Sequence, residues 1–257
     1  MKTLVTANQK GGVGKTAIVV HLAFDFAEKG KKVAVIDLDT QGNASYTLSK
    51  YKTGLTSSQF FNQSQINNSS FVNSKLATDG GIYLIESDPL LADMEKMTLD
   101  VAGTNFRQNL KTLSDMGFDV CLIDTAPSLG ICMATGLVGA DFVISPMELE
   151  VYSIQGIKKM NAVISNIRQV NSKLQFIGMI PSKVDNRKPR HKRHLEELNK
   201  AFPSLMFPVS IGLRDSIADA LASGVPVWKI KKTAARKAAK EVRELANLVF
   251  SRMEISV

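Results

Sequence analysis

The chain has 257 residues, a formal net charge of +8, 44% hydrophobic residues and 22% charged residues. That balance excludes a disordered or collagen-like protein, and two cysteines, Cys121 and Cys132, exclude a disulfide scaffold. No apolar run approaches the roughly 20 residues that span a bilayer, and both cysteines lie in or beside apolar runs, as buried thiols do.

The opening residues, Met1 to Asn8, read as a strand (Leu4–Ala7) that runs straight into glycines. They lack the apolar core of a secretion signal, which gives the expectation of a cytoplasmic protein. A helix is expected over Lys15–Glu28 and a buried strand over Val33–Asp37. From Ser49 to Gly81 the chain is rich in Ser, Asn, Thr and Gln, with Phe60 and Phe61 as its main apolar anchor. This reads as a loop-rich segment with one short helix and no separate domain. Further strands are expected at Ile82–Glu86, Val120–Asp124, Phe142–Pro146, Phe176–Ile180 and Met206–Val209. Helical patterns fit Asn105–Met116, Ser153–Val170, Pro189–Ala201, Arg214–Leu221 and Thr233–Arg252. Several strands are apolar throughout, which suits parallel strands covered on both faces. The expected fold is therefore α/β: a doubly wound, mostly parallel sheet flanked by helices, in one domain over residues 1–257. Ligands of such sheets bind at the C-terminal strand ends.

The strongest local signal is Gln9-Lys10-Gly11-Gly12-Val13-Gly14-Lys15-Thr16, between a strand and a helix. Glycines let backbone N–H groups wrap phosphate oxygens, and the helix start adds its positive dipole end. Lys15 can reach the β- and γ-phosphates and Thr16 can ligate Mg²⁺. Two features keep a rival open. Gln9 stands where the standard phosphate loop has glycine, and Gly12-x-Gly14-x-x-Ala17 also fits a dinucleotide fingerprint with Asp37 as the ribose ligand. Lys15 and Thr16 argue for the phosphate loop, since a dinucleotide needs neither. Val120–Asp124 is an apolar strand ending in a carboxylate that can assist Mg²⁺.

Charge is unevenly spread. Residues 183–243 hold 15 Lys/Arg against 6 Asp/Glu, a local net of +9, which leaves the rest of the chain at −1. Such asymmetry points to an anionic partner, nucleic acid or a lipid surface. Lys183, Arg187, Lys188, Arg190, Lys192 and Arg193 form one cluster without large aromatics, suited to phosphate contact rather than base stacking. Lys229, Lys231, Lys232 and Arg236 begin a second. His21, His191 and His194 do not suggest a metal site.

The run Lys10 to Thr16 resembles the deviant Walker A motif of the ParA/MinD ATPases, in which an extra lysine precedes the glycines. Asp37-Leu38-Asp39-Thr40-Gln41-Gly42-Asn43 resembles their switch I, and Val120–Gly130 their Walker B strand and switch II. The similarity runs through nearly the whole chain and is weakest at Ser49–Gly81. It implies a P-loop ATPase that binds ATP and Mg²⁺ and dimerises with ATP, of the small kind with no helix-turn-helix ahead of the first strand. By resemblance, Lys10 reaches the partner subunit's nucleotide and Lys15 its own. Gly11, Gly12, Val13, Gly14 and Ala17 complete the phosphate loop, with Pro181 and Ser182 near the base. Thr16, Asp39 and Asp124 serve Mg²⁺, and Asp39 positions the attacking water. Thr40 and Ala126 stand where many relatives carry proline, so hydrolysis is expected to be slow or differently regulated. Arg214 lies where relatives have an arginine implicated in DNA contact. The implied function is DNA partitioning: an ATP dimer on nonspecific double-stranded DNA, near the nucleoid, triggered by a ParB-like centromere-binding protein. The alternative is a MinD-like membrane ATPase or a positioner of protein cargo. The tail Leu245–Val257 lacks the basic, apolar-faced pattern of a membrane anchor.

Overall fold

The computed structural model describes residues 1–62, 66, 80–150, 153–185 and 187–255. In chain order the strands and α-helices are β1 (Lys2–Thr6), α1 (Lys15–Glu28), β2 (Lys32–Leu38), α2 (Asn43–Thr47), β3 (Lys52–Thr56), β4 (Gly81–Glu86), α3 (Leu91–Met94), α4 (Leu99–Asp115), β5 (Val120–Thr125), α5 (Ile131–Gly139), β6 (Phe142–Met147), α6 (Ser153–Ile167), β7 (Gln175–Pro181), α7 (Pro189–Ala201), α8 (Asp215–Ser223) and α9 (Thr233–Arg252). The strands form one seven-stranded sheet in the order β3-β4-β2-β5-β1-β6-β7. Every pairing is parallel, so the expected doubly wound class is what the chain adopts.

Alternation along each strand sends successive side chains to opposite faces. Leu4, Val35, Leu122 and Ile144 join one core with α1, α8 and α9. Val5, Ile36, Ile123 and Val143 join another with α4, α5 and α6. Both faces are covered, so both sets are apolar. Helix α1 is apolar nearly all round because it lies between the sheet and α9, with Phe26 edge-on to Phe250 at 5.2 Å. Arg243 of α9 bonds the fully buried Asp25 at 2.6 Å, pairs with Glu28 and lies over the Trp228 ring at 3.6 Å. A buried carboxylate needs such a partner, and this one pins α9 to α1.

The parallel arrangement brings the C-terminal ends of β1, β2, β5, β6 and β7 to one edge of the sheet. Strand β1 sits between β5 and β6 while its own crossover leads to β2, which is the kind of switch point where ligands bind.

The structure corrects several expectations. Met206–Val209 forms no strand, only a single bridge from Met206 to Met179; after Phe207 N bonds the Met179 carbonyl, the contact with β7 resumes only at Ile211 N on the Pro181 carbonyl. Lys52–Thr56, read as loop, is the edge strand β3; its short, half-exposed pattern with Gly54 hid it. Phe60 and Phe61 do anchor their segment, each against Phe106, at 5.7 and 5.5 Å. The remainder of the polar segment, 63–65 and 67–79, lies outside the described residues. Helix α4 begins at Leu99, six residues before the expected Asn105. Gly103, inside this helix, faces Val138 of α5, to which a β-carbon would come within 3.0 Å.

Candidate functional site

The loop after β1 is fixed at its entrance by Asn8. Its amide donates to Ser145 Oγ at 3.2 Å and to the Pro146 carbonyl at 2.8 Å, and its oxygen accepts from Lys10 N at 2.8 Å. Gly12 and Gly14 then turn the chain at φ 74° and 96°, values that favour glycine. A β-carbon on Gly14 would also sit 2.9 Å from Ser182 Oγ. Helix α1 starts at Lys15 with no side-chain cap and no acidic residue in its first turn. Its leading amides are therefore left for an anion. Lys15 Nζ, nearly buried, bonds the carbonyls of Asn8 at 3.1 Å and Lys10 at 3.3 Å. Desolvation lowers its pKa, against the attraction of Asp124 and Asp39. A phosphate would be a better partner for this ammonium than two carbonyls.

Beneath the loop, Thr16 Oγ1 donates to Asp124 Oδ2 at 2.6 Å. Asp124 is fully buried and stands beside Asp37 in the β2–β5 register. Burial, then the neighbouring Asp37 carboxylate, push its pKa well above the usual carboxylate range. A cation at Thr16 and Asp124 would relieve that strain, so the donor set fits Mg²⁺. Asp37 is itself occupied. It accepts from Asp39 N at 3.1 Å, Ser45 N at 2.8 Å and Ser45 Oγ at 2.7 Å. It is buried away from the cleft, so it cannot bind a ribose, and the dinucleotide alternative loses its acidic ligand. Asp39 faces the cleft and accepts from Gln41 N at 3.0 Å.

These groups open on a cleft of about 710 Å³. Gly12, Val13, Gly14, Lys15, Thr16, Ala17, Asp39, Ser182 and Lys183 line it. Ile211, Leu213, Ile217 and Leu221 add an apolar part to the lining, of the kind that takes a planar base. Sequence reading missed this part; the only signal was apolar spacing around α8. Pro181 is buried beside the cleft rather than on it, its carbonyl accepting from Ile211 N at 2.8 Å. Arg214 also lines the cleft, but its guanidinium is held by Glu241 at 2.5 and 3.2 Å. It is not presented as a free surface cation.

Lys10 and Gly11 lie outside the cleft lining. Lys10 turns away to Glu148 at 3.1 Å and Glu150 at 2.7 Å. Desolvation is the largest single influence and works against its charge, but the Glu150 and Glu148 bonds together outweigh it and raise its pKa. Both glutamates were missed in the sequence, although an acidic pair directly after a strand was the available clue. Glu148 also pairs with Lys183 at 3.4 Å.

Lys183 occupies the left-handed region at φ 54°, a costly place for lysine. It begins the first basic cluster. Arg187, Lys188, Arg190, Lys192 and Arg193 are exposed in and just before α7. Lys229, Lys231, Lys232 and Arg236 are exposed around the start of α9. Arg187 pairs with Asp185, Arg193 with Glu197 and Lys232 with Asp219. The Ala235, Ala238, Val242, Leu245 and Val249 face of α9 is spent in the core. No described helix is long and apolar enough to cross a membrane.

Comparison with known proteins agrees with this layout. The family described as AAA domain matches residues 1–176. Protein IncC of Escherichia coli is 62% identical over 260 residues, spanning 100% of this chain and 71% of that protein. The chromosome-partitioning ATPase Soj of Thermus thermophilus is 28% identical over 258 residues, spanning 99% of this chain and 97% of that one. Among solved structures, cobyrinic acid a,c-diamide synthase from Mycobacterium smegmatis, with bound ADP and magnesium, is similar at a TM-score of 0.77 and 26% identity. It covers 99% of this chain and 96% of that chain.

Proposed function

The chain belongs to the AAA domain family, among its ParA-type partitioning ATPases, and we propose that it is a nucleotide-switched DNA clamp. Its function is ATP-dependent DNA partitioning, the role borne in the name of its Soj relative. In this reading ATP enters the cleft with its phosphates on the loop of Gly11 to Thr16 and the amides that open α1. Lys15 gives up its two carbonyl partners for phosphate oxygens. Bound Mg²⁺ neutralises phosphate charge, and Thr16 Oγ1, Asp124 and Asp39 would hold it and its waters. Asp39, tethered through Gln41 N, orients the water that attacks the terminal phosphate.

Lys10 is the assembly residue. In the single chain it is parked on Glu148 and Glu150; in an ATP dimer it leaves them for the partner's nucleotide. Dimerisation places two copies of the basic clusters on one double-stranded DNA, through phosphate contacts and without base readout. A ParB-like centromere-binding protein then stimulates hydrolysis to ADP and phosphate and releases the dimer.

The observation that supports this reading best is Lys183. Its side chain lines the cleft and bonds Glu148, the same carboxylate that holds Lys10, while its backbone starts the basic run. The nucleotide, the assembly lysine and the DNA surface meet at one residue. A membrane role for α9 finds no support, since its apolar face is used in the core.

The test is binding to a random-sequence duplex with ATP, with ADP and without nucleotide, across a salt series. Binding only with ATP, falling steeply with salt and lost in Lys10→Ala, is the expected result. Equal binding in all three states would remove the switch, and ATP-dependent binding to anionic vesicles without DNA binding would replace the function.

A further inference from the structure

Helix α5 begins immediately after the loop that follows Asp124. Its N-cap is Gly130, which has no side chain to satisfy the helix's leading amides. The cap comes from far away in sequence. Glu95, just past α3, accepts from Ile131 N through Oε2 at 2.6 Å and from Cys132 N through Oε1 at 3.2 Å. The carboxylate lies where a β-carbon at residue 130 would stand, so a side chain there would push it off its present position. Among the described residues Glu95 has no ion-pair partner; the adjacent Lys96 is engaged with Asp93 at 2.7 Å. The exposed carboxylate therefore faces the positive end of α5.

The loop from Ala126 to Gly130 thus runs between two fixed points. At one end Asp124 is bonded to Thr16 under the phosphate loop. At the other, Glu95 holds the first turn of α5. Between them Pro127 lines the nucleotide cleft and stands 3.7 Å from where a β-carbon on Gly11 would lie. Cys132 Sγ adds a weaker bond to the Leu91 carbonyl at 3.8 Å, on the same segment as Glu95. Nothing in the nucleotide site touches Glu95 itself.

We propose that Glu95 is a positioning residue for ATP hydrolysis, a bidentate clamp that sets where the loop after Asp124 stands against the phosphate loop. The inference rests on the ATPase reading of the cleft. It assigns to the α3–α4 connection a part in turnover, separate from nucleotide binding.

The experiment compares Glu95→Ala and Glu95→Gln with the unaltered protein in steady-state ATP turnover, fluorescent-ATP binding, thermal unfolding and amide hydrogen exchange. Loss of both cap bonds in Glu95→Ala is expected to lower kcat, by about fivefold where the whole worth of a typical helix cap is felt in the transition state. KM and ATP affinity stay within about twofold, since the phosphate loop is untouched. Glu95→Gln, whose carbonyl can still accept one N–H, falls between the two. Exchange at Ile131 and Cys132 speeds up in the same order. Unchanged kcat in Glu95→Ala overturns the proposal, and so does a loss of ATP affinity parallel to the loss of rate. Turnover no higher than that of Lys15→Ala in the unaltered protein would defeat the ATPase reading instead. The exchange data would then still judge the clamp, which fails if Ile131 and Cys132 stay equally protected without Glu95.

Discussion

Replacing Lys10 by alanine separates folding from assembly. In the single chain the Lys10 side chain is 46% exposed, and its partners Glu148 and Glu150 are 23% and 53% exposed. Ion pairs this open contribute about 0–1 kcal/mol each after solvent screening and lost side-chain freedom. Losing both changes stability by about 1 kcal/mol, a Tm shift of roughly 2–4 °C in a domain of this size. The dimer is a different matter. A charge-assisted bond from Lys10 to a phosphate is worth about 1.5–3 kcal/mol. A two-fold dimer holds two of them, so the variant weakens association by about 3–6 kcal/mol, roughly a hundredfold to ten-thousandfold. Sedimentation velocity with ATP and Mg²⁺, with Asp39→Ala in the background to suppress turnover, measures this directly. A dimer constant within threefold of the unaltered protein would refute the cross-subunit role. A Tm fall much beyond that range would show that the Glu148 and Glu150 pairs were misjudged as solvent-screened.

Other expectations concern single residues. Asp39→Ala binds ATP and duplex DNA and turns over slowly, read by quenched-flow phosphate release; normal turnover would take Asp39 out of the mechanism. Gly14→Ala combines a left-handed backbone, costing about 1–2 kcal/mol, with the 2.9 Å approach to Ser182 Oγ. ATP affinity drops at least about tenfold, and adding Ser182→Ala restores part of it, since that removes the contact and leaves the strain. His21 is buried, its Nδ1–H donating to the Ala17 carbonyl at 2.7 Å and its Nε2 accepting from Val227 N at 3.2 Å. Desolvation lowers its pKa from 6.5 to about 4, the Ala17 bond opposing this only in part. Because the folded value lies below the unfolded one, this stability is complete above pH 6.5 and is lost as pH falls toward 4. The loss is about 3 kcal/mol. Chemical denaturation of His21→Gln across that window should lack this slope; an identical slope would place the acid sensitivity elsewhere.

The glycine turn before α1 and the carboxylate at the end of β5 could be placed from sequence because each belongs to a contiguous pattern of strand, turn and helix, whereas Asp39 was marked by resemblance. The β-strands that hold them were legible for the same reason: their apolar runs reflect cover on both faces. What escaped was built across the chain. Glu95 meets Ile131 from 36 residues away, and nothing beside Glu95 distinguishes it from other exposed glutamates. The apolar lining of Ile211 and Leu221 forms only once the chain brings α8 to the cleft. Arg214 reads as a surface cation until Glu241, 27 residues later, is brought against it. Lys10 is recognisable by its place before the glycines, whereas its resting partners Glu148 and Glu150 depend on where β6 ends.

The stitching around Lys183 has a consequence for how this protein can vary. Ser182 N bonds the Met147 carbonyl at 2.7 Å, Val184 N bonds the Ile211 carbonyl at 3.0 Å, and Leu213 N bonds the Val184 carbonyl at 3.1 Å. The residue between Ser182 and Val184 therefore has no slack. Helix α7 can gain or lose exposed turns beyond Pro189 and keep its origin. One residue inserted at 183 would shift the origin itself, swapping which side chain meets Glu148 and which face the basic run presents. Length changes among descendants of this sequence should accordingly gather past the start of α7 and be absent from Ser182 to Val184.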